Sequence, residues 1–170
     1  MNALTVIDVC SALRSRGWDK LTDEAIDEGL SHARWPGRLE LLRRGPVFIV
    51  DGAHNPQCVD ALMDSLAALY GDKKLIFLTG VLRDKDWQQL LRRALPLAKA
   101  FVVITPPSAR ALDENELAAW LNAQGVQAIP AKDTDDGVCR ALELAGEDDA
   151  ICSWGSLYFT GEVRRVLTEQ

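Results

Sequence analysis

Asp51 and His54 stand three residues apart in Val47-Phe48-Ile49-Val50-Asp51-Gly52-Ala53-His54-Asn55-Pro56, directly behind four large apolar residues. An aspartate in that place can accept from a sugar hydroxyl or an ammonium, and a histidine beside it can meet an anion. Each also has a plain structural use, Asp51 in closing a turn and His54 in helping to cap a helix. Trp154-Gly155-Ser156-Leu157 puts a glycine and a hydroxyl at a helix start, which makes either a small anion cradle of amides plus a side-chain donor or a simple N-cap. Cations stand at comparable places: Arg83 and Lys85 in Val81-Leu82-Arg83-Asp84-Lys85-Asp86-Trp87, and Arg110 in Pro106-Pro107-Ser108-Ala109-Arg110-Ala111. They can reach an anion or simply be solvated, and Asp84 reads as the N-cap of the helix that follows.

The elements that must position these residues are buried strands and the helices behind them. An apolar run bounded by turn residues reads as a strand covered on both faces, as in the middle of a parallel sheet. Residues 47–50, 75–80, 101–105, 126–129 and 150–153 fit that description, and helices fill the gaps at about 56–70, 86–95, 114–123, 135–145 and 157–168. Asn55-Pro56 supplies an N-cap and a first helical position, Asp113 with Glu116 a capping box, and Gly125 a helix stop. Residues 38–42 partly alternate and are joined to Val47 by a connection that allows only an antiparallel pair. The fold class is therefore α/β: a doubly wound, mainly parallel sheet of about six strands with one antiparallel strand and helices on both faces. Open sheets of this kind bind ligands outside the carboxyl ends of their strands, which is where Asp51, His54 and Ser156 fall.

Two short helices come first, at 3–13 and from about 23 to 30, the second with Thr22 as N-cap and acids in its first turn. They have no strand of their own. After them Trp35-Pro36-Gly37-Arg38 reads as a linker or boundary.

At 170 residues the chain is long enough for one full core without disulfide or metal support. A formal net charge of −6 argues against a backbone-driven nucleic-acid or anionic-membrane partner. Cys10, Cys58, Cys139 and Cys152 are scattered in apolar contexts and form no metal-binding spacing, so they read as reduced core residues. No signal segment and no apolar run of spanning length is present, which points to the cytoplasm. Neither a Walker phosphate loop nor a dinucleotide fingerprint occurs.

Taken in order, Trp35-Pro36-Gly37-Arg38, Asp51-Gly52-Ala53-His54-Asn55-Pro56, Asp84-Lys85-Asp86, Arg110-Ala111 and Gly155-Ser156-Leu157-Tyr158 resemble the C-terminal domain of folylpolyglutamate synthase/dihydrofolate synthase, in the Mur ligase superfamily. The resemblance implies residues 34–170 as the C-terminal glutamate ligase domain and residues 1–33 as trailing helices of the central ATPase domain and linker. It implies an ADP-forming amide ligase: ATP converts a pterin-linked carboxylate to an acyl phosphate, and the amine of L-glutamate displaces the phosphate.

By the same resemblance Asn2, Arg38 and Asp51 contact ATP, His54 and Ser156 lie on the glutamate side, and His54 is also catalytic. The partners implied are ATP, L-glutamate, and folate or dihydropteroate, with Mg2+ held outside this chain and no metal site within it. The phosphate loop belongs to the preceding ATPase domain, so the chain alone is expected to be inactive. A stand-alone module that binds a nucleotide or acidic ligand, and another Mur-type amino-acid ligase, remain as alternatives.

Overall fold

The computed structural model describes residues 2–169. The chain divides into two compact units, Met1–Pro36 and Gly37–Gln170. The first holds helices α1 (Asn2–Arg14) and α2 (Asp23–His32). Arg14 reaches Asp23 at 2.7 Å, and the Thr22 hydroxyl accepts from the amide of Ala25, so the expected N-cap of α2 is in place. Leu4, Val6 and Val9 on α1 are exposed.

The second unit runs β1 (Glu40–Arg44), β2 (Val47–Val50), α3 (Pro56–Tyr70), β3 (Leu75–Thr79), α4 (Trp87–Ala94), β4 (Ala98–Val103), α5 (Glu114–Ala123), β5 (Ala128–Pro130), α6 (Thr134–Leu144), β6 (Ala150–Trp154) and α7 (Leu157–Thr168). These strands make one sheet of order β1-β2-β6-β3-β4-β5, parallel except for β1 against β2. Side chains alternate between the two faces, as the period-two geometry of a strand requires. Phe77, Phe101, Cys152 and Trp154 pack with α3, α4 and α5 on one face. Phe48, Ile76, Val102 and Ile151 pack with α6 and α7 on the other. Because both faces are covered, the strands are continuously apolar, and β3 is buried at all five positions. The doubly wound, mainly parallel sheet expected from the sequence is the fold observed.

Four local details differ from expectation. The antiparallel strand is Glu40–Arg44 rather than 38–42, because residues 37–39 form a tight turn in which Gly37 (φ 70°) and Leu39 (φ 40°) both take left-handed conformations. Pairing of Arg44 with Val47 leaves only Gly45-Pro46 as the connection. The short fourth strand is Ala128–Pro130 rather than 126–129, since the Asn122 side chain both accepts from the amide and donates to the carbonyl of Ala128 and ends the preceding loop there. The N-cap of α4 is Asp86, which accepts from the amide of Gln89, and not Asp84, whose carboxylate is drawn to Arg110 at 2.8 Å. Asp113 caps α5 through the amides of Asn115 and Glu116, but the Glu116 carboxylate turns outward to Arg83 at 2.7 Å and does not close a capping box.

The turn at 37–39 is held by Glu40, which accepts from the amide of Gly37 at 2.8 Å and from Arg164 Nε at 3.0 Å. Burial works against its ionised form, but the Gly37 amide and the Arg164 guanidinium outweigh it and hold the carboxyl below its ordinary value of 4.5. A lowered folded-state pKa means stability that is fully present above the ordinary value and is lost as pH falls through the lowered one. Glu40→Gln should therefore cost about 1 kcal/mol at neutral pH, the scale of one charge-assisted bond discounted for partial exposure. Denaturant melts of the two proteins should converge as pH drops below the Glu40 titration, and a gap that persists unchanged in acid would contradict this role.

Candidate functional site at the carboxyl edge of the sheet

Parallel pairing of β2 with β6 sets Val50 beside Ser153, so the residues that follow each strand emerge at neighbouring points of one edge. The two loops are laced together by backbone bonds, Asp51 N to Ser153 O at 2.8 Å and Gly155 N to Ala53 O at 2.9 Å. Asp51 and His54 are thereby brought near Ser156, which lies 102 residues beyond His54 in the chain.

Asp51 is almost fully buried, at 7% exposure. An ionised carboxylate in such a place must be hydrogen-bonded on both oxygens. Its Oδ2 accepts from the amide of Leu39 at 2.9 Å, and its Oδ1 from the amide of Ala53 at 2.8 Å. Arg38 Nη1 stands 3.9 Å from Oδ1, on a side chain that is half exposed. Beneath, burial pushes the Cys152 thiol well above its ordinary value, and the Asp51 charge adds to the effect. The carboxylate thus ties the turn that carries Arg38 to the loop that carries His54. Asp51 thus closes a turn.

The backbone here is too crowded for side chains at two positions. A Cβ at Gly52 would run into the Leu157 side chain, with Arg38 Nη1 at 3.3 Å. At Gly155, φ is 114°, and a Cβ would meet Thr79 Oγ1 at 2.6 Å and the carbonyl oxygen of Gly80 at 2.8 Å. That close approach is what lets the β6 loop pass over the end of β3, where the Thr79 hydroxyl donates to the carbonyl of Trp154.

His54 is half-buried, and its Nδ1 lies 2.8 Å from the carbonyl oxygen of Gly52. A carbonyl can only accept, so Nδ1 carries the proton there and Nε2 of the neutral ring is left as an acceptor. Asn55 caps α3 by accepting from Cys58 N at 2.9 Å, with Pro56 at the first turn, as the sequence indicates. Ser156 is the N-cap of α7, 3% exposed, and accepts from the amide of Tyr158 at 3.2 Å.

His54 and Ser156 line one cavity of about 390 Å³, together with Lys85, Arg110, Tyr158 and an apolar wall of Val81, Leu82, Leu90 and Leu157. Lys85 and Arg110 are the cations that the sequence left open between anion binding and solvation; the fold puts both in the lining. Arg83 is turned away into its pair with Glu116. Arg38 and Asp51 are not part of this lining, and they form a separate edge of the site across Gly52. Asn2 opens α1 in the other unit, and its side chain lies outside the described residues. Among the described residues no group of three or more His, Cys, Asp or Glu could hold a metal ion. No helix among them is long and apolar enough to cross a membrane.

The profile of the family described as Mur ligase, glutamate ligase domain, matches residues 37–157. A dihydrofolate synthase/folylpolyglutamate synthase of Bacillus subtilis is 28% identical over 169 residues, which is 98% of this chain and 38% of that protein. A Mycobacterium tuberculosis folylpolyglutamate synthase complexed with ADP and AMPPCP superposes with a TM-score of 0.79 at 28% identity, over 88% of this chain and 36% of that one. A bifunctional folylpolyglutamate synthase/dihydrofolate synthase with Mn, AMPPNP and L-glutamate bound gives 0.77 at 28% identity, over 86% and 35%. The chain thus spans little more than a third of the length of these relatives.

Gly155→Ala should destabilise the domain by about 3 kcal/mol, since it adds a strained φ to a contact closer than any real Cβ makes. Urea unfolding measures it through the midpoint. A loss under 1 kcal/mol would show that the β6 loop has room to move off β3.

Proposed function

The chain belongs to the Mur ligase family, in its glutamate ligase domain, and we propose that it is the C-terminal part of an ATP-dependent ligase that adds L-glutamate to folate or dihydropteroate. The observation that carries the reading is the cavity that joins His54, Ser156, Lys85 and Arg110 at the sheet edge, next to the separate Arg38–Asp51 edge. One edge suits an acidic amino acid and the other a phosphate group. Relatives that share this fold have been solved with ADP or AMPPNP and with L-glutamate.

On this reading ATP phosphorylates the folate carboxylate, ADP leaves, and an acyl phosphate results. The glutamate amine attacks the acyl carbon, inorganic phosphate departs with the bonding pair and takes the second N–H proton, and the ammonium must first have given one proton to a base. His54 presents Nε2 as an acceptor, which fits it to hold the glutamate ammonium and to take that proton. Ser156 and the first amides of α7 offer donors and the positive end of a helix dipole to a carboxylate. Arg38 extends its fork from the 37–39 turn toward the nucleotide phosphates, where charge develops during transfer. On this reading Asp51, both of whose oxygens accept backbone amides, contributes by holding that turn, in place of the direct ATP contact that the resemblance implies. Asn2 is carried as a nucleotide contact on the resemblance alone.

Phosphoryl transfer of this kind needs a phosphate loop and a magnesium ion to offset the phosphate charge. The described residues offer no donor set for such an ion, so Mg2+ would be held by the preceding ATPase domain, of which residues 1–33 would be the trailing helices. The protein would work in the cytoplasm, where ATP and glutamate are available.

In the full-length enzyme, Arg38→Ala should lower kcat/KM for glutamate-dependent ADP release by about 100-fold, the scale lost with one electrostatic donor, while the melting temperature stays nearly constant. The 170-residue chain by itself should release no ADP above a no-enzyme blank in ATP, magnesium, glutamate and either dihydropteroate or a reduced folate. Glutamate-dependent ADP release by the chain alone, or an Arg38→Ala protein that loses its fold and not its turnover, would contradict this reading.

A further inference from the structure

Arg38 stands in the 37–39 turn with little to fix its side chain directly. Its nearest charged partner, Asp51 Oδ1, is 3.9 Å away, beyond hydrogen-bond reach, and half of the side chain is exposed. The place of the guanidinium fork is therefore set by the backbone that carries it. Asp51 holds that backbone from the end of β2, and a second hold comes from α7.

One stripe of α7 lies along the turn. Leu157, Thr160 and Arg164 follow one another at spacings of three and four residues, which puts them on one face of a helix. Leu157 fills the space over Gly52, and Thr160 Cγ2 stands 3.2 Å from where a Cβ on Gly37 would lie. One turn further on, Arg164 Nε donates to Glu40 Oε1 at 3.0 Å, while Oε2 of the same carboxylate accepts from the amide of Gly37 at 2.8 Å. The Glu40 side chain is only 21% exposed, so its charge has given up much of its water and depends on these two donors. A donor on each oxygen fixes the plane of the carboxylate, and a single donor would leave it free to swing. We propose that Arg164 is a positioning residue for Arg38: from α7 it holds the Glu40 carboxylate, Glu40 holds the Gly37 amide, and the Arg38 fork is thereby set at the sheet edge. Ser156 starts the same helix, so α7 is a strut between the two edges of the site. The kinetic part of the proposal rests on the ligase reading, and the mechanical part does not. An exposed ion pair adds little to stability, whereas a catalytic group displaced by about an ångström costs far more in turnover, so Arg164 acts on rate more than on melting.

The test has two arms. In the isotope-labelled 170-residue chain, amide relaxation compares the order of Arg38 and Leu39 with that of Tyr158. The unsubstituted turn should have order parameters of about 0.85, as in rigid backbone, and Arg164→Ala should lower them below about 0.7 while Tyr158 is unchanged. Arg164→Lys, which keeps the helix and a charged donor, should restore most of the order. In the full-length enzyme Arg164→Ala should lower kcat for glutamate-dependent ADP release about tenfold, with KM for glutamate within about twofold and the melting temperature nearly constant. In an Arg38→Ala background the same substitution should change kcat by less than about twofold, because no fork remains to be positioned. A turn that stays rigid without Arg164, a kcat that does not respond to Arg164→Ala, or a loss of the same size with Arg38 already removed overturns the assignment. Loss of order at the turn, in a protein whose full-length form releases no ADP with glutamate, would overturn the ligase reading and leave the hold of Arg164 on the turn standing.

Discussion

A single buried carboxylate organises the site. Asp51 takes the amides of Leu39 and Ala53 on its two oxygens, and a charge this deeply buried is tolerable only because both bonds are made. The consequence is geometric. The 37–39 turn, in which Gly37 and the strained Leu39 are both left-handed, is pinned against the end of β2, and with it the base of the Arg38 side chain. Glu40 secures the same turn from the other side, and Gly52 N closes onto the carbonyl of Gly37 at 2.8 Å. An arginine held in this way can be presented at the sheet edge without an extensive contact of its own to the protein.

The rest of the site follows from how parallel strands end. β2, β6 and β3 lie side by side, and their following loops would collide were it not for Gly155, which passes over Thr79, and Gly52, which makes room for Leu157. That crowding sets the amides at the start of α7 beside His54. A chain of net charge −6 then places two cations, Lys85 and Arg110, in a cavity whose lining has no carboxylate. Asp84 meets part of the Arg110 charge from outside the lining, and the lining itself offers only cationic, neutral polar and apolar groups, which suits an acidic small ligand.

Much of this was legible in the residues, for identifiable reasons. Continuous apolar runs on β2, β3, β4 and β6 follow from burial on both faces, and caps such as Asn55, Asp113 and Ser156 act through local geometry that the sequence encodes directly. The positions that depart from the local pattern depend on distant partners. Asp84 looks like a cap from its neighbours in sequence, yet its carboxylate goes to Arg110, twenty-six residues on. Glu116 has the spacing of a capping box, and Arg83, thirty-three residues back, outcompetes the backbone for it. Whether Lys85 and Arg110 were solvated or faced a cavity could not be read locally, because the answer depends on the Leu82–Ala111 bridge that joins their loops. Trp35-Pro36-Gly37-Arg38 is legible as a linker or boundary, and the two compact units are Met1–Pro36 and Gly37–Gln170, against 1–33 and 34–170 expected. The bonds from that stretch to Asp51 and Glu40 were not.

If Asp51 acts through Arg38, a double-mutant cycle in the full-length protein will show the coupling. Asp51→Asn keeps the size of the side chain but gives up one acceptor, which releases the 37–39 turn. In that case kcat/KM for ADP release in the Asp51→Asn, Arg38→Ala double variant falls within about threefold of the worse single variant, because the second change removes nothing that the first had left in place. Losses that multiply across the cycle would mean that the two residues serve the reaction independently, and the carboxylate would then have a role in nucleotide binding apart from the turn it holds.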